Sequence, residues 1–344
     1  MLVHVRTKKG LGYHKALLNP SLYHGVSPFN ISEGFIKQDK KNYGDYVGEY
    51  LDILAQKDEK IIAITAAMKD GVGLSMFAKH YPTRFFDVGI AEEHATTFAS
   101  SLALNKMKPY LFLYSTFLQR SFDQVIHDIC LANLPVKIMI DRAGVVGEDG
   151  KTHQGLFDLS YLSMIPNMTI MAPKCIAEIP IILRFINNFK TPIALRYPKG
   201  CEDFSLRPIT KIELGKWEIV RESEQKLCIV ATGRMVSLVM KMVSRYQLDL
   251  EVINACFIKP LDKEMLKRLM LEKKDIITIE DNSKINGLGS NILMYLNEIN
   301  YQGKIKILGF PDEFVPHGKV QEILKKYKLD EEGIYQEVIN IIKK

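Results

Sequence analysis

From Tyr43 onward the chain repeats one pattern, in which a short apolar run of strand length alternates with a segment of helical spacing. The helical segment YGDYVGEYLDILAQ leads into IIAITAA (Ile61–Ala67), and RFFDVG, YLFLYS, VKIMID, MTIMAP and PIALRYP follow in turn. Strands that are apolar on both faces and separated by helices belong to mostly parallel sheets covered on two sides. The pattern predicts helices near Leu74–His80 and over Glu92–Leu104, Phe117–Leu131 and Ala177–Asn188. Between about Lys199 and Leu214 the helical period is lost and Pro208 intervenes, so this stretch reads as a linker. A second α/β unit follows, with strands KLCIVAT, LEVINA, DIITIED and KIKILG and helices Met235–Arg245, Lys263–Leu271 and Gly289–Asn297. The fold class is therefore α/β in two domains, residues 43–200 and 201–344. Residues 1–42 are too few for a domain. They hold a strand-like run (Leu2 to Val5), a basic Gly-rich turn and an irregular stretch, and read as the last strand of something else plus a linker.

Composition narrows the function classes. Apolar residues make up 47% and charged residues 25% of the 344, as expected of a globular protein. No apolar run approaches the ~20 residues of a membrane span. The opening MLVHVRTKKGLGYHK is broken by charges too early for a signal peptide, which places the chain in the cytoplasm. The net charge of +6 is mild, and no basic stripe is interleaved with aromatics, so nucleic acid is not an expected partner. Five well-separated cysteines without a C-x-x-C argue against a disulfide framework or a zinc site.

Four segments could carry chemistry. DVGIAEEHATTFA (Asp87–Ala99) sets Glu92, Glu93 and His94 at a helix start just beyond a strand end, where open parallel sheets bind ligands. Acids at a helix start also simply suit its dipole, and position alone favours that reading. YSTFLQRSFDQ places Tyr114 at a strand end, a hydroxyl pair (Ser115, Thr116) suited to an N-cap, then Phe117 and Arg120. IDRAGVVGEDGKTHQG is a long βα loop bearing Arg142, Asp149 and His153, and long irregular loops in compact domains are usually functional. RYPKG puts Arg196 at a strand end, where with Arg142 it could clamp an anion; a surface ion pair is the plainer alternative. EDNSKINGLGS, before a helix, is a weak anion-binding signal, and GFPDEFVPHG reads as a turn-rich structural connection.

Taken together, DVGIAEEHATTFA, YSTFLQRSFDQ, DRAGVVGEDGKTHQG, RYPKG, the opening TKKGLGY and SLYHGV, and the later FIKPLD and GFPDEFVPHG resemble the 1-deoxy-D-xylulose-5-phosphate synthase family over essentially the whole chain. The resemblance implies a pyrimidine-binding, doubly wound parallel sheet followed by a transketolase-type C-terminal α/β domain, with residues 1–42 as the end of a diphosphate-binding domain. It implies thiamine diphosphate as cofactor, with Glu92 as the carboxylate that activates it through a pyrimidine ring nitrogen. Phe117 would stack on that ring, and Met68 and Tyr13 would line the same pocket. The substrates would be pyruvate and D-glyceraldehyde 3-phosphate, both anions. Tyr114, Arg120, Arg142 and Arg196 would bind them, and His24 and His153 would move protons with Asp149 orienting one of them. The family's GDG…N segment, which holds Mg2+ and the diphosphate, has no counterpart here, so the metal ligands are expected on an N-terminal domain, possessed by a partner chain or lost through a split or truncated gene. A homodimer is implied. Two alternatives stay open: a β-type subunit of another split thiamine enzyme (a transketolase C-terminal half or a 2-oxoacid dehydrogenase), and a non-catalytic remnant.

Overall fold

The computed structural model describes residues 1–343 apart from 21, 27, 36–40 and 203. Its contacts divide the chain into two compact units, residues 1–40 and 41–344.

The first unit has one short helix, His14–Leu18, which the sequence reading did not anticipate. Tyr13, Tyr23, Phe29 and Phe35 meet largely edge-to-face around it, with centroid separations of 5.4–6.4 Å. Among its described residues, Ala16 is the one buried apolar side chain, so there is no core of domain size. Leu2–Val5 forms no strand: these side chains are exposed, and no described strand pairs with them to satisfy a ladder.

The second unit carries two sheets. Strands β1 (Ile61–Thr65), β2 (Phe85–Asp87), β3 (Lys108–Tyr114), β4 (Lys137–Asp141), β5 (Thr169–Met171) and β6 (Ile193–Arg196) pair in parallel. The later strands are β7 (Glu218–Arg221), β8 (Leu227–Ala231), β9 (Glu251–Asn254), β10 (Phe257–Lys259), β11 (Asp275–Ser283) and β12 (Ile305–Phe310). The sheet orders are β10-β5-β6-β4-β3-β1-β2 and β12-β11-β8-β9-β7. Strands β1, β4, β6 and β8 are buried at every position, which is why they read as continuous apolar runs rather than alternating ones.

The two sheets are not independent. Strand β10 lies in the C-terminal half of the sequence yet joins the first sheet antiparallel to β5, pairing Phe257 with Met171. One apolar cluster accordingly runs from Tyr43 through both halves to Leu296. Neither β7 nor β10 was expected from the sequence, and neither were the helices Val320–Lys326 and Glu331–Ile342.

One expected element is built differently. The continuous helix Phe117–Leu131 is broken into Ser115–Leu118, a 3₁₀ turn at Gln119–Ser121, a single turn at Phe122–Gln124 and a π-helical stretch at Val125–Cys130. The wide turn shows in the bonds Leu131 N to Ile126 O (2.9 Å) and Leu134 N to Ile129 O (3.0 Å). At its end the Cys130 carbonyl accepts from Asn133 N at 3.1 Å and from Asn167 Nδ2 at 3.0 Å. The apolar period survives this irregularity, so periodicity alone could not reveal it.

Candidate active site at the strand ends of the first sheet

In the first sheet the chain moves outward from β1 to β2 on one side, and β3, β4 and β6 lie on the other. The reversal beside β1 is a topological switch point, the usual binding crevice of open α/β sheets. The C-terminal ends of β2, β1, β3, β4 and β6 deliver, in that spatial order, Glu92, Met68, Tyr114 with Phe117, Arg142 and Lys199. Two non-glycine residues at these ends, Ala67 and Arg142, hold left-handed backbones with φ of 60° and 57°. Strained backbone of this kind gathers at functional sites. Asp87 fixes the first of them: its Oδ1 accepts from Ala67 N at 2.7 Å and from Gly89 N at 3.1 Å.

Glu92 opens the helix Glu92–Leu104 and is 2% exposed. Its Oε2 pairs with Arg120 Nη1 at 2.7 Å, and Arg120 is itself half-exposed. No other described side chain or backbone N–H bonds this carboxylate, so Oε1 is left for a ligand. The capping role considered for Ser115 and Thr116 is not what those hydroxyls do. Ser115 Oγ donates to Asp158 at 2.9 Å and Thr116 Oγ1 to the Thr152 carbonyl at 2.8 Å. Both tie the Tyr114–Arg120 segment to the loop and helix that follow β4.

Tyr114, Phe117, Arg142, Asp149 and His153 come together. The Tyr114 and Phe117 rings stack at 5.6 Å, and the His153 ring meets the Phe117 edge at 5.5 Å. The Arg142 guanidinium lies over the Tyr114 ring, 3.9 Å from its centroid. Burial pushes the Tyr114 hydroxyl up to about 12, with Arg142 opposing, so it stays neutral. Its hydroxyl fits because residue 71 is glycine: a Cβ there would fall 1.8 Å from Tyr114 Oη. Asp149 accepts from Arg142 Nη1 at 3.1 Å and from Lys199 Nζ at 2.7 Å. No hydrogen bond joins it to His153, whose Nδ1 is 2.9 Å from Thr152 Oγ1. The loop is closed by paired backbone bonds between Gly144 and Gly155 at 2.6 and 2.8 Å.

Arg196 is a correction. It is buried, with its guanidinium gripping Asp158 at 2.7 and 3.2 Å and reaching the Asp281 carbonyl at 3.2 Å. A head group so committed cannot form a clamp with Arg142; the cation that β6 does supply is Lys199. Of the two basic residues in RYPKG, Lys199 is the one that reaches Asp149. Sequence reasoning missed Asp158, Asp87 and the pair Arg234–Asp281 described below. Tyr13 and His24 fall in the first unit, where Tyr13 donates its hydroxyl to the Ile31 carbonyl at 2.8 Å and His24 is exposed. The weak anion signal of EDNSKINGLGS is also corrected. The Leu288–Glu298 helix start already holds an internal anion, Glu280, whose oxygens accept from Leu288 N (2.8 Å) and Gly289 N (2.9 Å). Burial pushes that carboxyl up to about 7.

The pyrimidine ring expected from the sequence suits this donor set. A nitrogen heterocycle needs a desolvated carboxyl and an apolar surface, and the strand ends of this sheet carry buried Glu92, buried Met68 and the Phe117 ring. Among the described residues, no three His, Cys, Asp or Glu side chains gather as metal ligands. No described helix is long and apolar enough to cross a membrane.

Known proteins share this fold. Residues 39–201 match the family described as transketolase, pyrimidine binding domain, and residues 215–334 match transketolase, C-terminal domain. The chain is 51% identical over 348 residues to 1-deoxy-D-xylulose-5-phosphate synthase of Clostridium perfringens (strain SM101 / Type A), covering 99% of this chain and 56% of the relative. To the synthase of Clostridium tetani (strain Massachusetts / E88) it is 48% identical, with the same coverage. The chain thus spans just over half the length of these curated relatives. A solved structure described as a split gene transketolase, inactive beta4 tetramer, superposes with a TM-score of 0.76 at 27% identity, over 86% of this chain and 96% of that one. A transketolase from Campylobacter jejuni shares the fold, with a TM-score of 0.73 at 18% identity, over 95% of this chain and 50% of that one.

Proposed function

This chain belongs to the transketolase family, carrying its pyrimidine-binding and C-terminal domains, and from that premise we propose that it is a portion of a 1-deoxy-D-xylulose-5-phosphate synthase. The reaction proposed is the decarboxylative joining of pyruvate to D-glyceraldehyde 3-phosphate. The observation that carries the reading is the buried Glu92 carboxyl, bonded among the described residues by Arg120 alone, at the same strand ends as the Tyr114, Phe117 and Arg142 group. Bound thiamine diphosphate would supply a carbon nucleophile there. Glu92 would hold a proton at the pyrimidine nitrogen, and Phe117 and Met68 would fix that ring. Tyr13 is assigned to the cofactor side and His24 to proton transfer on the strength of the resemblance alone.

Both substrates are anions, and Arg120 and Arg142 suit them. Arg142 is held by the Tyr114 face and by Asp149, which leaves part of its fork for a carboxylate or phosphate. Because Asp149 is already neutralised by two cations, its role here is to orient Arg142 and Lys199, and His153 is the proton carrier on this loop. Arg196 is proposed as structural. The Mg2+ and diphosphate half of the site is assigned to a companion domain, consistent with relatives nearly twice as long. We place the enzyme in the cytoplasm as a homodimer; the exposed apolar Ile90 and Leu104, at the two ends of the Glu92 helix, support a covered face there.

The test is turnover by this chain together with its diphosphate-binding domain, Mg2+, thiamine diphosphate and both substrates. Carbon dioxide release that requires glyceraldehyde 3-phosphate and falls at least about a hundredfold in Glu92→Ala supports the proposal. Undiminished release in that variant would overturn it. The second reading, a subunit of a split transketolase, is favoured by the structural likeness to a split gene transketolase. It predicts ketol transfer between sugar phosphates without carbon dioxide, so product analysis separates the two.

A further inference from the structure

We infer that Asp281, in the C-terminal domain, is a positioning residue for the candidate active-site loop 142–155. Its effect on turnover rests on the function proposed above, whereas its hold on the loop does not. Asp281 is 3% exposed at the end of β11. Its Oδ1 accepts from Val145 N at 3.1 Å, and its Oδ2 pairs with Arg234. Arg234 Nη2 in turn donates to the Val145 carbonyl at 3.1 Å. One acid–arginine pair therefore holds both backbone groups of a single loop residue, three positions after Arg142 and four before Asp149. The approach is close enough to dictate the neighbouring residue. Gly144 has φ +85°, and a Cβ on it would stand 1.8 Å from Asp281 Oδ2.

Further anchors come from the same domain. Gln154 accepts from Val146 N at 2.9 Å and donates to the Pro316 carbonyl at 3.0 Å. Ser283 N donates to the Leu156 carbonyl at 2.9 Å. Val145 and Leu156 pack into the apolar core of the C-terminal domain, apart from the core of the sheet that bears Glu92. The loop thus belongs by sequence to one domain but is held by both, since Thr116 and Lys199 bind it from the first. This clamp adds to the loop's own bonds, the Gly144–Gly155 bridge and the Arg142–Asp149 and Val146–Gln154 contacts, in setting where Arg142, Asp149 and His153 stand. A charge-assisted pair buried in low dielectric is well suited to fixing a loop of this length.

Two variants test this. Asp281→Asn keeps an acceptor for Val145 N and removes the charge facing Arg234, and Arg234→Gln removes the other half if the first variant folds poorly. Amide hydrogen exchange on the full chain should show residues 143–153 exchanging about tenfold faster, while β3, β4 and β8 keep their protection. In the enzyme completed with its diphosphate-binding domain, KM for pyruvate should rise about tenfold with the thiamine diphosphate dissociation constant unchanged. Unchanged loop exchange in both variants, or an equal rise in β8 and β11, would overturn the inference, the latter marking a merely structural residue. Faster loop exchange with unaltered kinetic constants would also overturn it while leaving the proposed function standing. If the wild-type enzyme shows no turnover, the proposed function fails, and exchange alone still decides whether Asp281 holds the loop.

Discussion

Single residues in this cleft act through one another. The Tyr114 ring carries the Arg142 guanidinium over its face and stacks with Phe117, and it reaches that place because Gly71 leaves room for its hydroxyl. Gly71→Ala should therefore displace the ring, costing about 1–3 kcal/mol of stability and weakening anion binding by Arg142. Adding Tyr114→Phe removes the hydroxyl that the new methyl strikes, so the double variant should regain most of the stability. Urea midpoints over the two-by-two set measure this, and strictly additive losses would contradict it. Asp141 offers a pH-dependent counterpart. Burial pushes its carboxyl up to about 7 although Arg142 N donates to it at 2.6 Å. A raised carboxyl means the folded state favours the protonated form. The stability it contributes is complete below about pH 4 and is lost as pH rises towards about 7, at no more than about 1.4 kcal/mol per pH unit. Asp141→Asn keeps the acceptor for Arg142 N and cannot ionise, so its stability advantage over the wild type should be larger at pH 8 than at pH 5. Urea unfolding at the two pH values checks this, and an equal difference at both would refute the assignment.

At the scale of elements, the short helix Asp158–Ser163 is the piece that fastens two others. Asp158 receives Arg196 from the end of β6 and Ser115 from the turn after β3, both within the buried interior. Asp158→Ala would strand a buried guanidinium, and a cost of about 3–5 kcal/mol is expected, whereas Asp158→Leu combined with Arg196→Met should cost much less. Chemical denaturation of the single and double variants tests this; equal losses would mean that the pair is not what matters. The same interaction shows how far the sequence could be read. Strands buried on both faces declared themselves as apolar runs, and the helices Glu92–Leu104 and Lys263–Leu271 were found at their observed ends because their periods are unbroken. Glu92, Tyr114 and the Arg142–His153 loop were legible because strand ends of parallel sheets are where such groups act. Which arginine faces the cleft was not legible, since a strand-end position says nothing of a carboxylate 38 residues away that takes the side chain inward. The break after Leu118 was hidden because the apolar period runs through it unchanged.

Over the whole of residues 41–344, two sheets of different sequence origin are joined by one strand. Strand β10 completes the edge of the first sheet, and Lys259 donates to the carbonyls of Ser163 and Ile165 at 2.8 and 2.6 Å. Buried Lys174 reaches across to Glu218 at 2.8 Å. The single tryptophan, Trp217, sits in this seam and donates its indole N–H to the Phe257 carbonyl at 2.8 Å. Two domains that merely touched would melt separately. Here the first sheet takes an edge strand from the C-terminal domain and one apolar cluster spans both, so unfolding should be a single cooperative event. Far-UV circular dichroism reports both sheets and Trp217 fluorescence reports the seam, and their thermal transitions should coincide. Phe257 is fully buried on β10 and meets Phe185 edge-on at 5.9 Å. Phe257→Ala should cost about 3–5 kcal/mol and lower both transitions together, because the cavity opens in the apolar cluster the two domains share. If fluorescence fell first while the circular dichroism of the first sheet persisted, the strand would be an appendage rather than a joint. In that case the clamp by which Asp281 shapes the loop would also lack the rigid frame it requires.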